Sequence, residues 1–404
     1  MEIGPRSQRE LKRTTIKRIR SLLVDREESG RVRYLAWNWG YLGRAAAALY
    51  ASSGDAEILD LILNLHDTFV GIRDDHLQRV DDKRHRVMKA WSNVLRPDES
   101  AKKCIEPGLR SCEVECTGLI LLPFTDLLLR TRPEMLSYEV RQKLTGTIVD
   151  AVDAHLPDLV EHGPSGGAYF VSSWTKAIEP LNHSHLFGAA AAEAYALTGN
   201  DRFKAVAQKL YNFFKANWHW EKNDTVSWNY CPSHHDSHNN RAPMEFGRKG
   251  FNRHIGAEFI DKASMTLELP VAMHRAGLLP DEDLRKIAAS LSKNIFLPHD
   301  RLNLYIGPRK IRSCSQIPNN FRSHHLGSYD LLARFHPAIG KQIDSLVANR
   351  GDLFPRGWHS GAALIMASAR RVSPLVDVRP PHVRSERSSS RGVADGREWN
   401  AASD

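Results

Sequence analysis

The feature that most constrains the fold is a pair of helices that recurs along the chain. Apolar residues at helical spacing run from residue 34 to residue 72, and Gly54 and Asp55 interrupt them. Glycine favours the end of one helix, and aspartate caps the start of the next. The same order returns between residues 182 and 218, so that LYASSGDAEILDL and AYALTGNDRFKAV read as copies. Helix pairs that cannot bury their apolar faces alone must stack on one another.

Looser copies bring the number of helix pairs to about six. The further helical segments are 113–159, 254–295 and 323–348, with single segments at the two ends, 8–24 and 359–371. If the two end segments pair with each other, the array closes into a ring. The sequence therefore predicts an all-α fold, either an (α/α)6 toroid or a closely related incomplete (α/α) toroid. Few short strands are expected, and the clearest is 303–306.

Composition sets the limits of this domain. Hydrophobic residues make up 42% of the 404 residues and charged residues 25%, the balance of a soluble globular chain. No apolar run reaches about 18 residues, so no transmembrane segment is predicted. After Val372 the chain turns rich in Arg, Ser, Pro and Gly. We therefore predict one toroid domain over 1–372 and a disordered tail over 373–404.

The formal net charge is +9, and much of the basic excess lies in the first helix and in the tail. A nucleic-acid-binding face would concentrate basic residues beside aromatic ones. The charge is therefore interpreted as a solvated surface, and no nucleic-acid partner is predicted. The five cysteines form no CxxC pair, and Cys112 and Cys116 are expected to be packed thiols on one helix. No secretory signal is predicted, which makes the cytoplasm the default compartment unless a leader was removed.

Each predicted inner helix opens with polar or aromatic side chains, and in a closed ring these openings would surround one mouth. Helix caps are also polar, but caps are Ser, Thr, Asp or Asn, and they do not explain repeated His and Trp. Aromatic faces stack on sugar rings, while Asn and His bind hydroxyl groups. The candidate substrate-binding residues are Trp37, Asn38, Trp39, Trp174, His185, Trp228, His238, His324, His325 and His359.

The densest group of histidines lies between Trp228 and Asn240. His234, Asp236 and His238 could bind a transition metal from a loop or an extended segment. No fourth ligand is evident beside them. They are therefore interpreted as hydrogen-bonding residues of a polar cleft, and no cofactor or metal is predicted.

The segments NHSHLFGAAAAEAYALTGNDRFKAVAQKLYNFFKANW and EFIDKASMTLELPVAMHRAGL resemble the inner helices of (α/α)-toroid carbohydrate-active enzymes. The resemblance is to polysaccharide lyases of the alginate lyase type and to the catalytic toroid of glucuronyl C5-epimerases. In the lyases an Asn-His pair on an inner helix acts with a Tyr and an Arg. The resemblance implies Asn182 and His183 as the pair and Tyr230 and Arg253 as their partners. His254, beside Arg253, completes the predicted catalytic set.

This resemblance implies proton abstraction beside a carboxylate. Asn182 and Arg253 would neutralise the carboxylate of a uronate and stabilise the enediolate that forms. His183 or Tyr230 would remove the C5 proton, and Tyr230 could return it to the leaving glycosidic oxygen. Expulsion of the leaving group gives a lyase, and reprotonation from the other face gives an epimerase. The epimerase-like toroids carry an acidic-Ser-His pattern where this chain reads Glu258-Phe-Ile-Asp-Lys262. The expected partner is an acidic polysaccharide or oligosaccharide.

Three other classes of protein are compatible with the sequence. A glycoside hydrolase needs two carboxyl groups, and candidates are Asp74, Asp75, Glu115, Glu245, Glu258 and Asp261. A terpenoid cyclase would use DDHLQRVDD and NDTVSWNY as acidic metal motifs, but Gln78 and Cys231 stand where acids are needed. A non-catalytic helical-repeat scaffold would be an open array without a cluster of His, Tyr and Arg in one mouth.

Overall fold

A computed structural model describes residues 5–24, 32–95, 108–173, 178–220, 225–230, 232, 258–297, 300–303, 306 and 328–349. The helices are α1 Pro5–Val24, α2 Val32–Ser53, α3 Ala56–Gly71, α4 Val114–Arg130, α5 Tyr138–His155, α6 Leu181–Thr198, α7 Asp201–Ala216, α8 Ile260–Thr266, α9 Glu268–Arg275, α10 Asp281–Asn294 and α11 Pro337–Asn349. The strands are β1 Val80–Asp81, β2 Arg86–Val87, β3 Ser92–Val94, β4 Arg110–Cys112, β5 Leu159–His162, β6 Gly167–Phe170, β7 His219–Trp220, β8 Val226–Ser227, β9 Phe296–Leu297 and β10 Arg301–Leu302.

Helices α2, α4, α6 and α8–α9 are the inner helices, and they run parallel. Arg33 pairs with Glu115 at the start of α2 and α4, and Arg44 pairs with Asp126 further along. The partners in both pairs are 82 residues apart in the sequence, so the two helices keep one register. Leu267 has right-handed helical torsion angles between α8 and α9, so these two helices continue one direction.

Each inner helix is followed by an outer helix that returns on it. Gly54, Gly199 and Gly277 end inner helices with φ of +66°, +71° and +72°, a left-handed conformation that glycine adopts without a Cβ clash. Asp55 and Asn200 then cap α3 and α7 by accepting hydrogen bonds from backbone N–H groups two residues on. Four of the predicted helix pairs are present among the described residues, α2–α3, α4–α5, α6–α7 and α8/α9–α10, and the (α/α) fold class is confirmed.

Small side chains let the inner helices approach closely. A Cβ atom added at Gly118 of α4 would lie 2.5 Å from the carbonyl carbon of Leu186 in α6. Ala189 to Ala192 follow on α6, and all four are fully buried. The close approach of α4 and α6 therefore depends on glycine and alanine. Aromatic and aliphatic side chains of the outer helices fill the surrounding core.

Helix α1 packs on the outside of the first pair. Lys12 forms an ion pair with Asp55, and Arg20 forms one with Glu57 at 2.8 Å. Part of the basic excess of this helix therefore pairs with acidic residues of α3. The predicted ring closure between 8–24 and 359–371 cannot be followed, because 359–371 lies outside the described residues, as does the predicted tail 373–404.

The strands form short antiparallel pairs, as expected for this class. The predicted strand 303–306 is shifted: the strand is Arg301–Leu302, and it pairs with Phe296–Leu297. The prediction that Cys112 and Cys116 share one helix is wrong, because Cys112 ends β4 and only Cys116 lies in α4. Both are buried free thiols. None of the described helices is long and apolar enough to cross a membrane.

Candidate active site

The N-terminal ends of α2, α4, α6 and α8 meet at one end of the barrel, which we call the mouth. Arg33 Nη2 lies 3.3 Å from Glu115 Oε2, and this joins α2 to α4. His183 Nε2 lies 3.0 Å from Glu115 Oε1, and this joins α6 to α4. Lys262 of α8 lies over the ring of Trp37 of α2, with its Nζ 4.8 Å from the ring centroid. The mouth thus brings together side chains from four separate segments.

The segment 225–230 lies between the starts of α6 and α8. Its Tyr230 carbonyl oxygen accepts a hydrogen bond from Leu181 N at 3.2 Å, and its Trp228 carbonyl oxygen accepts one from Glu258 N at 3.0 Å. These bonds hold the backbone of Tyr230 beside the first turn of α6. Asn182 and His183 occupy that turn, so the three residues are neighbours in space.

His183 is held between two carboxylates. Its Nδ1 lies 2.8 Å from Glu179 Oε2, and its Nε2 lies 3.0 Å from Glu115 Oε1. Burial alone would lower the pKa of His183, but the two carboxylates outweigh it and raise the pKa to about 9. The ring is therefore an imidazolium at neutral pH, with both N–H groups directed at carboxylates. In this state His183 can donate a proton but cannot accept one.

Glu115 is the ionised partner in this arrangement. Burial opposes its charge, but His183 and Arg33 lower its pKa to about 2. Its side chain is 1% exposed, so its charge depends on these two cations. Glu115 of α4 and His183 of α6 therefore form a buried ion pair at the mouth.

Asn182 precedes His183 and is fully buried. Neither its Nδ2 nor its Oδ1 has a hydrogen-bond partner in the part of the chain that the structure describes. Most buried polar side chains are hydrogen-bonded within the protein, and an exception requires an explanation. Because Asn182 lies beside the His183 couple, its free amide is suited to bind a ligand there.

Glu258 differs from Glu115 in its charge. It accepts hydrogen bonds from Trp228 Nε1 at 2.5 Å and from Thr266 Oγ1 at 3.0 Å. Burial nevertheless raises the pKa of Glu258 to about 8, so its carboxyl group is mostly protonated at neutral pH. Of these two glutamates, Glu115 is ionised and Glu258 is neutral.

Three residues predicted to bind substrate belong to the core instead. Trp39 is fully buried, donates from Nε1 to the Ile120 carbonyl oxygen at 3.1 Å and packs on Phe124. Trp228 is fully buried against Phe214. Sequence reasoning placed both rings in the cleft because polar residues flank them, yet neither exposes a face on which a sugar could stack.

His185 is the third corrected residue. It is fully buried, and its Nδ1 lies 2.6 Å from the Thr266 carbonyl oxygen, so it links α6 to α8. Burial lowers the pKa of His185 to about 4, and the ring is neutral. Trp37 and Asn38, by contrast, are only partly buried. Asn38 Nδ2 donates to the Tyr34 carbonyl oxygen one turn earlier, at 2.8 Å.

The remaining predicted site residues lie outside the described residues, and they are Trp174, His234, Asp236, His238, Arg253, His254, His324, His325 and His359. Sequence reasoning missed Arg33 and Glu179. Glu179 could have been found, because it stands four residues before His183. Arg33 could not, because only the fold brings it to Glu115.

One group in the described chain has the spacing of metal ligands. Ligand atoms of Glu113, Glu115 and Cys116 all lie within 4.8 Å of one another. Protein groups already engage these carboxylates: Arg33 and His183 contact Glu115, and Asn93 Nδ2 donates to Glu113. We therefore interpret the cluster as part of the hydrogen-bonded wall of the mouth.

Neither a protein-family model nor a curated protein matches the chain. Among solved structures, a D-mannose isomerase is 14% identical, with 83% of this chain and 85% of that chain covered at a TM-score of 0.50. A sugar epimerase from a ruminal bacterium is 9% identical, with 82% and 86% covered at a TM-score of 0.49. A polysaccharide lyase is 10% identical, with 91% and 97% covered at a TM-score of 0.47. The likeness to the D-mannose isomerase shows that this chain has the (α/α)-toroid fold.

Proposed function

We propose that this protein is an enzyme that acts on a carbohydrate at the mouth of the toroid by proton transfer. The observation that carries the proposal is the pairing of a His183 imidazolium with the unpartnered amide of Asn182 at the start of an inner helix. Such donors suit a substrate on which negative charge develops. The substrate class that fits this chemistry is a uronate-containing polysaccharide or oligosaccharide, cleaved by β-elimination.

The sequence left open whether His183 or Tyr230 removes the C5 proton, and the charge state of His183 favours Tyr230. The imidazolium cannot take the C5 proton, so Tyr230 is assigned as the base. One N–H of His183 would exchange a protein carboxylate for the substrate carboxylate, so the imidazolium would keep two anionic partners. Asn182 would donate its amide N–H to the same group.

Elimination would then proceed in two proton transfers, both at Tyr230. The Tyr230 phenolate takes the C5 proton, and the electron pair of the C5–H bond passes into the carboxylate as an enediolate, which then forms the C4–C5 double bond. The C4–O bond breaks, and the Tyr230 phenol returns the proton to the leaving oxygen. Donation from His183 and Asn182 stabilises the enediolate between these steps.

The test is a panel of acidic polysaccharides assayed for the absorbance of a 4,5-unsaturated uronate product. His183→Ala and Tyr230→Phe should each lower turnover at least about a hundredfold, the usual size of a general acid–base contribution. Tyr195→Phe is the matched control, because Tyr195 lies near the C-terminal end of α6, away from the mouth. Full activity in both site variants would refute the assignment.

Glycoside hydrolysis is the second candidate, and the two carboxyl groups support it. The neutral Glu258 could act as a general acid, while the ionised Glu115 could activate water. New reducing ends without the unsaturated product, abolished by Glu258→Gln, would identify a hydrolase. Exchange of the C5 hydrogen with deuterated water, without cleavage, would instead identify an epimerase.

A further inference from the structure

Lys262 occupies an unusual place for a lysine. It lies in the first turn of α8, an inner helix, and its side chain is partly buried at the mouth. Lys262 takes part in none of the ion pairs found among the described residues, and its Nζ instead contacts the ring of Trp37. A partly desolvated ammonium group usually pairs with an acid. Because Lys262 has no such ion pair, its charge is available to a ligand.

Trp37 is the aromatic residue that contacts Lys262. It lies on α2, and the Lys262 Nζ stands 4.8 Å from its ring centroid. Helices α2 and α8 are separated along the chain by two other inner helices, α4 and α6, so the contact spans the mouth. The ring of Trp37 is only partly covered, unlike the buried rings of Trp39 and Trp228. Lys262 covers one face of the indole, so a sugar ring that stacks on that face must displace the ammonium group, which can then pair with a negative charge on the same sugar.

We propose that Trp37 and Lys262 form a subsite for an acidic sugar ring, in which the ammonium group of Lys262 leaves the indole face to pair with the carboxylate and the sugar ring stacks on that face. This inference rests on the proposed function and names the residue that selects acidic over neutral sugars. The subsite lies at the same mouth as His183, since the Lys262 charge also acts on Glu115. Lys262 is a substrate-binding residue here and takes no part in the proton transfer.

The experiment is isothermal titration of the full chain with two matched ligands. One is an oligosaccharide of glucuronic acid, and the other is the same oligosaccharide with each carboxyl group reduced to a hydroxyl group. The wild type should prefer the acidic ligand at least about tenfold, or about 1.4 kcal/mol. Lys262→Met should abolish this preference, Lys262→Arg should retain most of it, and Trp37→Ala should weaken the binding of both ligands.

Lys204→Met is the matched control. Lys204 also stands over an aromatic ring, that of Tyr195 at 5.8 Å, but near the C-terminal end of α6, so its loss should leave both affinities unchanged. The inference is overturned if Lys262→Met keeps the preference, if it weakens both ligands equally, or if the wild type binds neither. A preference that depends on Lys262 without formation of unsaturated product would refute the elimination and support this subsite. Formation of the unsaturated product, together with an unchanged preference for the acidic ligand in Lys262→Met, would support the elimination and refute this subsite.

Discussion

Glu115 Oε1 and His183 Nε2 lie 3.0 Å apart and join the first turns of two parallel inner helices. The side chains are 1% and 14% exposed, so water does little to screen the two charges. Glu179 contributes a second carboxylate, which lies 2.8 Å from the other ring nitrogen, Nδ1. The protonation of His183 is therefore a property of the assembled mouth, because one of its two partners comes from another helix.

The first prediction concerns Glu115→Gln. The variant removes the carboxylate that does most to raise the pKa of His183, so this pKa should fall below about 9. Because the proposed role requires the imidazolium, the alkaline limb of the pH profile of kcat/KM should move to lower pH. An NMR titration of the imidazole should show the same shift. Glu161→Gln, which removes an exposed carboxylate paired with Lys209, should leave the limb in place.

The second prediction concerns stability against pH. The folded pKa of His183, about 9, lies above its ordinary value of 6.5. The folded state therefore binds the proton more tightly than the unfolded state does, and the contribution is fully present below pH 6.5. It should be lost as the pH rises from 6.5 through about 9. Urea unfolding across this range should show a decline that His183→Gln reduces; an equal decline in the variant would contradict the charge assignment.

The third prediction separates function from stability at Asn182. A buried amide without partners costs about 1–3 kcal/mol in desolvation. Asn182→Leu keeps the branched shape of the side chain and removes that penalty, so the free energy of unfolding should stay the same or increase, while turnover falls at least about a hundredfold.

Asn217→Leu is the control for this prediction. Asn217 is a buried asparagine whose Nδ2 donates to the Phe213 carbonyl oxygen at 2.9 Å. Its replacement removes a hydrogen bond and should lower the unfolding free energy by about 1 kcal/mol. Denaturant titrations of both variants give the comparison, and destabilisation of both to the same extent would mean that Asn182 is an ordinary core residue.

The sequence was sufficient for the helix pairs because their signals are local. Gly54 and Asp55, or Gly199 and Asn200, end one helix and cap the next through bonds within a few residues. These signals also located the openings of the inner helices, which is why Asn182 and His183 could be singled out.

The charge state of the site was not predictable, because it depends on contacts between distant residues. Arg33 and Glu115 are 82 residues apart and meet only when α2 and α4 align. Burial was equally hidden: Trp37 and Trp39 are two residues apart in one helix, yet only Trp39 is fully buried, whereas Trp37 packs at the edge of the core. Two residues on a helix point about 200° apart, but the sequence did not indicate which of the two directions faces the core.

The fourth prediction concerns a second buried charge group deeper in the barrel. Arg44 of α2 pairs with Asp126 of α4 at 2.7 Å and with Glu268 of α9 at 2.8 Å. All three side chains are at most 5% exposed. Arg44→Met should lower the unfolding free energy by about 3–5 kcal/mol, because it takes a buried guanidinium group away from two buried carboxylates, of which Asp126 keeps Arg130 at 3.1 Å and Arg275 at 3.4 Å.

Arg20→Met provides the comparison for Arg44→Met. Arg20 and Glu57 form an ion pair on the outside, with side chains 63% and 46% exposed. Its loss should change the unfolding free energy by no more than about 1 kcal/mol. Thermal and denaturant unfolding of both variants would measure the difference, and equal small effects would show that the inner pairs contribute no more than a surface pair.

The last prediction tests how closely the inner helices approach. At Gly118 of α4 an added Cβ would lie 2.5 Å from the Leu186 carbonyl carbon and 2.6 Å from Phe187 N in α6. Backbone atoms cannot rotate away as a side chain does, so Gly118→Ala must separate the two helices and should cost about 1–3 kcal/mol of unfolding free energy.

Gly146→Ala is the control for this prediction, because at Gly146, on the outer helix α5, an added Cβ meets nothing within 4 Å. Gly146→Ala should therefore stabilise the protein by about 0.4–1 kcal/mol, because alanine restricts the unfolded chain. Because α4 and α6 carry Glu115 and His183, separation at Gly118 should also lower the pKa of His183, whereas Gly146→Ala should leave it unchanged. A stable Gly118→Ala variant with an unaltered His183 titration would show that the helices do not pack this closely.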